Sequence, residues 1–162
     1  MTTTTLSTST TTTGVNLASG NDGTLTVKVG ATAGAQITAM SIDAAGSTTF
    51  PQPAAMGYGT GAGGAVTQAT SRTTAVTISK PTGTITMFTA AGSATPSQFT
   101  VTNSLVAVND VILLSYKGSS NVYQFIVSTV ASGSFNITFW SQSGTFSDTP
   151  VINFVVIKGA NS

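Results

Sequence analysis

From Gly64 onward the chain reads as a succession of short runs in which apolar and polar residues alternate, each closed by turn-forming residues. A period of two sends successive side chains to opposite faces of a strand, whereas a helix needs apolar residues every three or four positions. Helix therefore has almost nowhere to fit. Eight strands are predicted, over residues 65–68, 74–80, 83–88, 97–103, 111–117, 122–130, 134–141 and 150–158. Between them lie Lys80-Pro81-Thr82-Gly83, Ala91-Gly92-Ser93, Asn109-Asp110, Lys117-Gly118-Ser119-Ser120-Asn121, Ser132-Gly133 and Ser143-Gly144, all residue types that favour turns. Two runs, 111–114 and 154–157, are apolar on both faces, so both faces are expected to be covered, one by core and the other by a subunit contact. The fold class expected is all-β: a small N-terminal β-module, then an eight-stranded antiparallel β-sandwich over residues 65–162, jelly-roll-like, with an immunoglobulin-like sandwich as the nearest competitor.

Upstream, three segments differ in character. Residues 1–20 begin with a tract of Thr and Ser in which only Leu6 offers apolar surface, and β-branched side chains disfavour helix. Alone this is expected to be an extended, mobile arm. Against a partner it can add as a strand to a sheet edge, which makes Thr3, Thr5 and Leu6 candidate contact residues. Residues 21–50 are expected to form a module of about three strands, around 25–29, 37–42 and 47–50, with Asp43-Ala44-Ala45-Gly46 as a turn. So few strands bury little, and this module is expected to pack on neighbours or to trimerise. Residues 51–64 hold Pro51, Pro53 and five glycines and are read as a linker. The run Gly59-Thr60-Gly61-Ala62-Gly63-Gly64 fits a dinucleotide-binding template in spelling, but no strand precedes it and no helix follows.

Chemistry is narrowly bounded. His, Cys and Glu are absent, and Asp22, Asp43, Asp110 and Asp148 stand far apart, so neither an acid–base pair nor a metal cluster is suggested. The expectation is a non-enzyme without cofactor or metal. A net charge of +1 from dispersed Lys28, Arg72, Lys80, Lys117 and Lys158 argues against nucleic acid as a partner. No run of about 18 apolar residues suggests a membrane span, and residues 1–13 lack the basic and apolar parts of a signal peptide. Only 6% of residues are charged, against about 25% in ordinary soluble domains. A surface built of Ser, Thr, Gly and Ala is weakly defended against association, and the reading that follows is a chain held among fixed partners.

Asn136-Ile137-Thr138 spells a glycosylation sequon but falls inside a strand. Trp140, Gln142 and Tyr58 are the residues able to hold a sugar, against the commoner role of isolated aromatics in cores and interfaces. Asn109-Asp110 offers calcium a single carboxylate and is read as a turn. Arg72, the sole arginine, is expected to make a bidentate contact with a partner's carboxylate.

Three stretches occur in order: Gly63-Gly64-Ala65-Val66-Thr67-Gln68-Ala69-Thr70-Ser71-Arg72, then Val76-Thr77-Ile78-Ser79-Lys80-Pro81-Thr82-Gly83-Thr84-Ile85-Thr86-Met87, and finally Asn153-Phe154-Val155-Val156-Ile157-Lys158-Gly159. Together, over roughly residues 60–160, they resemble a domain found in bacteriophage virion proteins, both head-decoration and tail-fibre components; Arg72 and Ile78 stand where that pattern often has lysine and leucine. Leu25-Thr26-Val27 and Gly46-Ser47-Thr48-Thr49-Phe50-Pro51 resemble short repeats that precede phage fibre heads. The resemblance implies an assembly module without catalytic residues. The expectation is a capsid decoration (cement) protein, made in the host cytoplasm and bound as a homotrimer to the major capsid protein on the virion exterior. The alternative is a tail-fibre tip or adaptor that binds a host receptor, with a host-surface glycan as its ligand.

Overall fold

The computed structural model describes residues 16–19 (as backbone), 23–29, 37–51 and 56–160. Every element among them is a strand, fourteen in number, and none is a helix. The chain divides into two compact units at Gly57/Tyr58, inside the Pro- and Gly-rich stretch.

The first unit is a four-stranded antiparallel meander of β1 (Asn16–Ser19), β2 (Leu25–Val29), β3 (Ile37–Ile42) and β4 (Thr48–Thr49), paired in chain order. The β3–β4 turn follows from Asp43, whose Oδ1 accepts hydrogen bonds from the amides of Ala45 and Ser47 at 2.9 and 2.8 Å. Gly46 supplies the left-handed residue, at φ +85°, that closes the turn. Strand β1 falls within the residues expected to be a free arm, and it adds a fourth strand to the predicted three. Pairing places Leu25 beside Ile42 and Val27 beside Met40, an apolar row on one face. All four are only half-buried, and no described side chain of this unit is buried.

The second unit contains two four-stranded sheets and a short ribbon. One sheet has the order β10 (Val111–Gly118), β14 (Val151–Ile157), β7 (Thr82–Thr86), β5 (Gly63–Thr67). The other runs β11 (Val122–Ala131), β12 (Ser134–Ser143), β9 (Ser97–Thr102), β6 (Val76–Thr77). The ribbon pairs β8 (Ala90–Ala91) with β13 (Ser147–Asp148). The alternation in the sequence becomes alternation in burial, so that Phe135, Ile137 and Phe139 of β12 and Ile152, Phe154 and Val156 of β14 all point inward. These rows join a single apolar cluster with Ile85, Phe99, Val101 and Ile112, and the rings of Phe135 and Phe154, from different sheets, lie 5.6 Å apart.

The pairing is not wholly antiparallel, contrary to expectation. β5 runs parallel to β7, and β6 parallel to β9. The reason lies in the path: β5 and β7 belong to one sheet and β6 and β9 to the other, so the chain alternates between sheets and returns each time in its former direction. Parallel neighbours need such a crossover, and here the opposite sheet supplies it in place of a helix. A jelly roll, built from antiparallel Greek keys, would set β5 elsewhere. The parallel pair also explains two glycines. Gly64 and Gly83 are register partners, and a Cβ on Gly83 would lie 2.6 Å from Ile78 Cδ1 and 2.8 Å from Phe154 Cε1. The stretch spelled like a nucleotide loop thus ends in a strand whose glycines make room for core side chains.

Candidate functional site

Arg72 does not wait for a partner's carboxylate. It is buried, and its guanidinium finds Asp148 of the same chain, with Nη2 2.7 Å from Oδ1. The remaining donors are also occupied: Nε donates to the Phe88 carbonyl at 3.1 Å, Nη1 to the Ala91 carbonyl at 3.3 Å and to the Tyr123 hydroxyl, and Nη2 to the carbonyls of Ala90 and Asp148. The cation also stands 5.2 Å from the centroid of the Tyr123 ring. A buried charge is tolerated where it is paired and its hydrogen bonds are satisfied, and both conditions hold here. The expected external contact is corrected accordingly: Arg72 ties the loop after β5 to both strands of the β8–β13 ribbon and to β11.

Asp148 accepts three further hydrogen bonds through its two carboxylate oxygens. Oδ1 also takes the Tyr123 hydroxyl at 2.8 Å, and Oδ2 takes the Ser119 hydroxyl at 2.6 Å and the Asn121 amide at 2.8 Å. Burial pushes its carboxyl up, but the bonds from Ser119, Asn121, Tyr123 and Arg72 outweigh that push and hold it well below the usual carboxylate range. Burial, followed by the Asp148 carboxylate, pushes the Tyr123 phenol up. Asn121 extends the network, since its side chain donates to the Phe146 carbonyl at 2.6 Å and accepts from the Phe146 amide at 3.1 Å. Gly92 and Gly144 flank this amide, and a Cβ on either would strike Asn121 or backbone beside it.

The other described carboxylates are likewise engaged in local structure. Asp43 closes its turn. Asp110 accepts from the amides of Ala107 (2.8 Å) and Gly159 (3.0 Å) and pairs with Lys158 at 2.5 Å. The Lys158 bond, then the Ala107 amide, lower its pKa to about 2 against the opposing effect of burial. Asp22 lies outside the described residues. Among those residues, no three His, Cys, Asp or Glu side chains gather where they would hold a metal ion.

A cleft of about 280 Å3 opens beside the stem of Arg72, lined by Ser71, Thr73, Phe88, Ser93, Thr95 and Phe139 among others. Its polar equipment is neutral hydroxyl, because the guanidinium hydrogens already point to the chain's own carbonyls, to Tyr123 and to Asp148.

Both large sheets mix polar and apolar residues on their outer faces, with Val122 and Ile126 exposed on the sheet containing β12. On the sheet containing β12, outward residues pair with one another: Thr100 with Asn136 at 2.9 Å, Thr138 with Ser128 at 2.9 Å, and Gln142 with Gln124 at 3.4 Å. The sequon residue Asn136 belongs to this ladder, and Trp140 lies opposite Gln124. On the other sheet the outer face of β10 and β14 is aliphatic at one end and polar further along, where Ser115 faces Asn153 and Thr84 Oγ1 donates to Asn153 Oδ1 at 2.8 Å. Cross-strand partners Val111 and Ile157 are 51% and 45% exposed, and Leu113, 50% exposed, stands opposite Val155. Val108 and Leu105, also exposed, adjoin the start of β10, with Lys158 donating to the Leu105 carbonyl at 2.8 Å.

Of the candidate contact residues, Thr3, Thr5 and Leu6 lie outside the described residues. Tyr58 is half-exposed, with its hydroxyl donating to the Val156 carbonyl at 2.7 Å, and so belongs to β14's surroundings. Tyr58 therefore does not share a surface strand with Trp140 and Gln142, which lie on β12. The polar residues that the sequence reading missed are Gln68, Asn103, Asn121 and Asp148, all buried. The sequence pattern places Gln68 at a strand end, and its side chain donates to the carbonyls of Arg72 and Thr74 and accepts from the Phe88 amide. Asn121 and Asp148 stand close to Gly118 and Pro150, the one local signal, whereas nothing beside Gln68 or Asn103 marks them. Comparison of the chain with protein-family models, characterised proteins and solved structures finds no match.

Proposed function

We propose that this chain is a non-enzymatic structural protein of a bacteriophage particle, a decoration protein bound as a homotrimer to the major capsid protein on the outside of the shell. The observation that carries the reading is the first unit: a four-stranded sheet whose apolar row, Leu25, Val27, Met40 and Ile42, is only half-buried, with no buried side chain among the described residues of the unit. A sheet gains independent stability by covering an apolar face, and attachment to another protein would supply the cover. The resemblance to virion domains, the scarcity of ionised groups and the structural employment of the described carboxylates agree with an architectural role. For the second unit, we read the two four-stranded sheets as layers of an eight-stranded β-sandwich, supported by the shared apolar cluster. The test is electron microscopy of phage particles from the host that carries the gene, labelled with an antibody raised against the purified chain. Label over the shell is the expected result. Label confined to the tail would replace decoration by the receptor-binding alternative, and particles without label would overturn both.

A further inference from the structure

We infer that the cleft beside the stem of Arg72 is a binding site for a single ring of a neutral saccharide, an inference that concerns the second unit alone and stands whether or not the chain decorates a shell. The cleft exists because the core runs out of filling at one end of a sheet. Along β9 the inward positions read Val101, Phe99 and then Ser97, and along β12 they read Phe135, Ile137, Phe139 and then Ser141. Ser97 stands opposite Phe139, so that where the alternation calls for an apolar side chain it finds only a hydroxyl. The space left, about 280 Å3, is bounded by Phe88 and Phe139 and by the hydroxyl-bearing Thr73, Ser93, Thr95 and Ser97.

The lining selects the guest. Arg72 is the one charged residue at the cleft, its charge is offset by Asp148, and all its N–H groups already meet carbonyls, Tyr123 or Asp148. An ionic guest would therefore give up its water with no opposite charge to receive it. A purely apolar guest fares no better, because Ser97 Oγ and Thr95 Oγ1 have no hydrogen-bond partner among the described residues to replace the water it would displace. A neutral ring with one C–H face and hydroxyls round its edge satisfies both conditions. The C–H face of a pyranose lies against phenylalanine, and its hydroxyls exchange hydrogen bonds with Ser and Thr, which donate and accept alike. Pockets for drug-sized ligands begin at about 300 Å3, so a cleft of this size holds one ring. Its walls are fixed in advance. Arg72 holds the carbonyls of Phe88, Ala90 and Ala91, the Ser141 amide donates to the Ser93 carbonyl at 2.7 Å, and Ser93 Oγ accepts from the Thr95 amide at 3.1 Å. Little ordering then accompanies binding, but one ring makes few contacts, and the affinity expected is millimolar.

Two-dimensional amide spectra of the isotope-labelled full chain, titrated with the methyl glycosides of glucose, galactose, mannose and N-acetylglucosamine, test the inference. Glucuronate and glucosamine serve as the anionic and cationic forms of the same ring. At least one neutral glycoside is expected to shift the amides of residues 88–91 and 93–97 saturably, with both charged rings about tenfold weaker. Ser97→Leu, which continues the apolar row into the cleft, is expected to abolish the shifts without lowering the melting temperature. Thr95→Val, at an exposed position, is expected to weaken binding about threefold to tenfold by removing one hydroxyl, and Gln142→Ala, on the outer face of β12, to leave it unchanged. No saturable shift with any of the four glycosides would overturn the inference. So would charged rings that bind as well as neutral ones, binding that survives Ser97→Leu, or shifts centred on Trp140 instead of the cleft. Should Ser97→Leu lose stability, Thr95→Val carries the test, and undiminished binding by that variant overturns the inference. The antibody labelling of particles is read separately, so either reading can fail without the other.

Discussion

Replacing Asp148 with alanine should be among the most damaging single polar changes in the second unit. The substitution removes the carboxylate that receives Arg72, Tyr123, Ser119 and the Asn121 amide, while the guanidinium remains buried. Breaking a buried ion pair by deleting one partner costs about 3–5 kcal/mol. Arg72 keeps the carbonyls of Phe88, Ala90 and Ala91, which places the cost near the lower end, about 3 kcal/mol. For a unit of roughly a hundred residues each kcal/mol moves the melting temperature by about 5 °C, so a fall of about 15 °C is expected by calorimetry. Arg72→Met in the same chain should recover part of that loss, because no unpaired charge then remains. A fall of less than about 5 °C for Asp148→Ala, or a double variant worse than the sum of the singles, would refute the claim that the carboxylate compensates the buried guanidinium.

Stability should be nearly flat between pH 5 and 8, since the chain has neither His nor Glu. Asp110 and Asp148 have depressed folded-state values, so their contribution is complete above the unfolded value of about 3.9 and is lost as pH falls below it, for Asp110 toward about 2. Thermal melts at unit pH intervals would read this, and a melting temperature still unchanged at pH 2 would contradict it. Gly83→Ala should cost about 1–3 kcal/mol by overpacking Ile78 and Phe154, measured by urea denaturation. Phe154→Ala, which opens a cavity opposite Phe135 in the core, should cost about 3–5 kcal/mol in the same assay. A fragment of residues 58–162, which carries its own apolar core, should melt cooperatively and near the temperature of the full chain's main transition.

All eight strands predicted after Gly64 have counterparts, because each is a local statement: alternation chooses the backbone, and Gly, Asn or Ser beside it ends the run. Trimming was heaviest for residues 74–80, where only Val76–Thr77 pair; the side chains of Gln68 and Asn103 hold the two ends of that region instead, at the carbonyls of Thr74 and Lys80. Two-residue strands β8 and β13 escaped notice, being too short to show a period. Candidate residues fared less evenly. The doubly apolar runs at 111–114 and 154–157 are strands β10 and β14, with one face in the core and the other exposed at Val111, Leu113 and Ile157, whereas the pairing of Arg72 was illegible because its carboxylate lies 76 positions further along the chain.

What the amino-acid order determined by itself is the local part: strand rather than helix, which side chains share a face, where the chain turns, and how little acid–base equipment it carries. Each of these depends on residues within a few positions of one another. Only the tertiary structure decided that β5 and β6 run parallel to their later neighbours, that Arg72 spends its charge inside the fold, and that Val111 and Leu113 meet Ile157 and Val155 side by side on one outer face. Those outcomes depend on which distant segments meet. A period-two pattern fixes the two faces of a strand, but the identity of its neighbour, and of whatever covers the second face, is settled only when the sheets assemble.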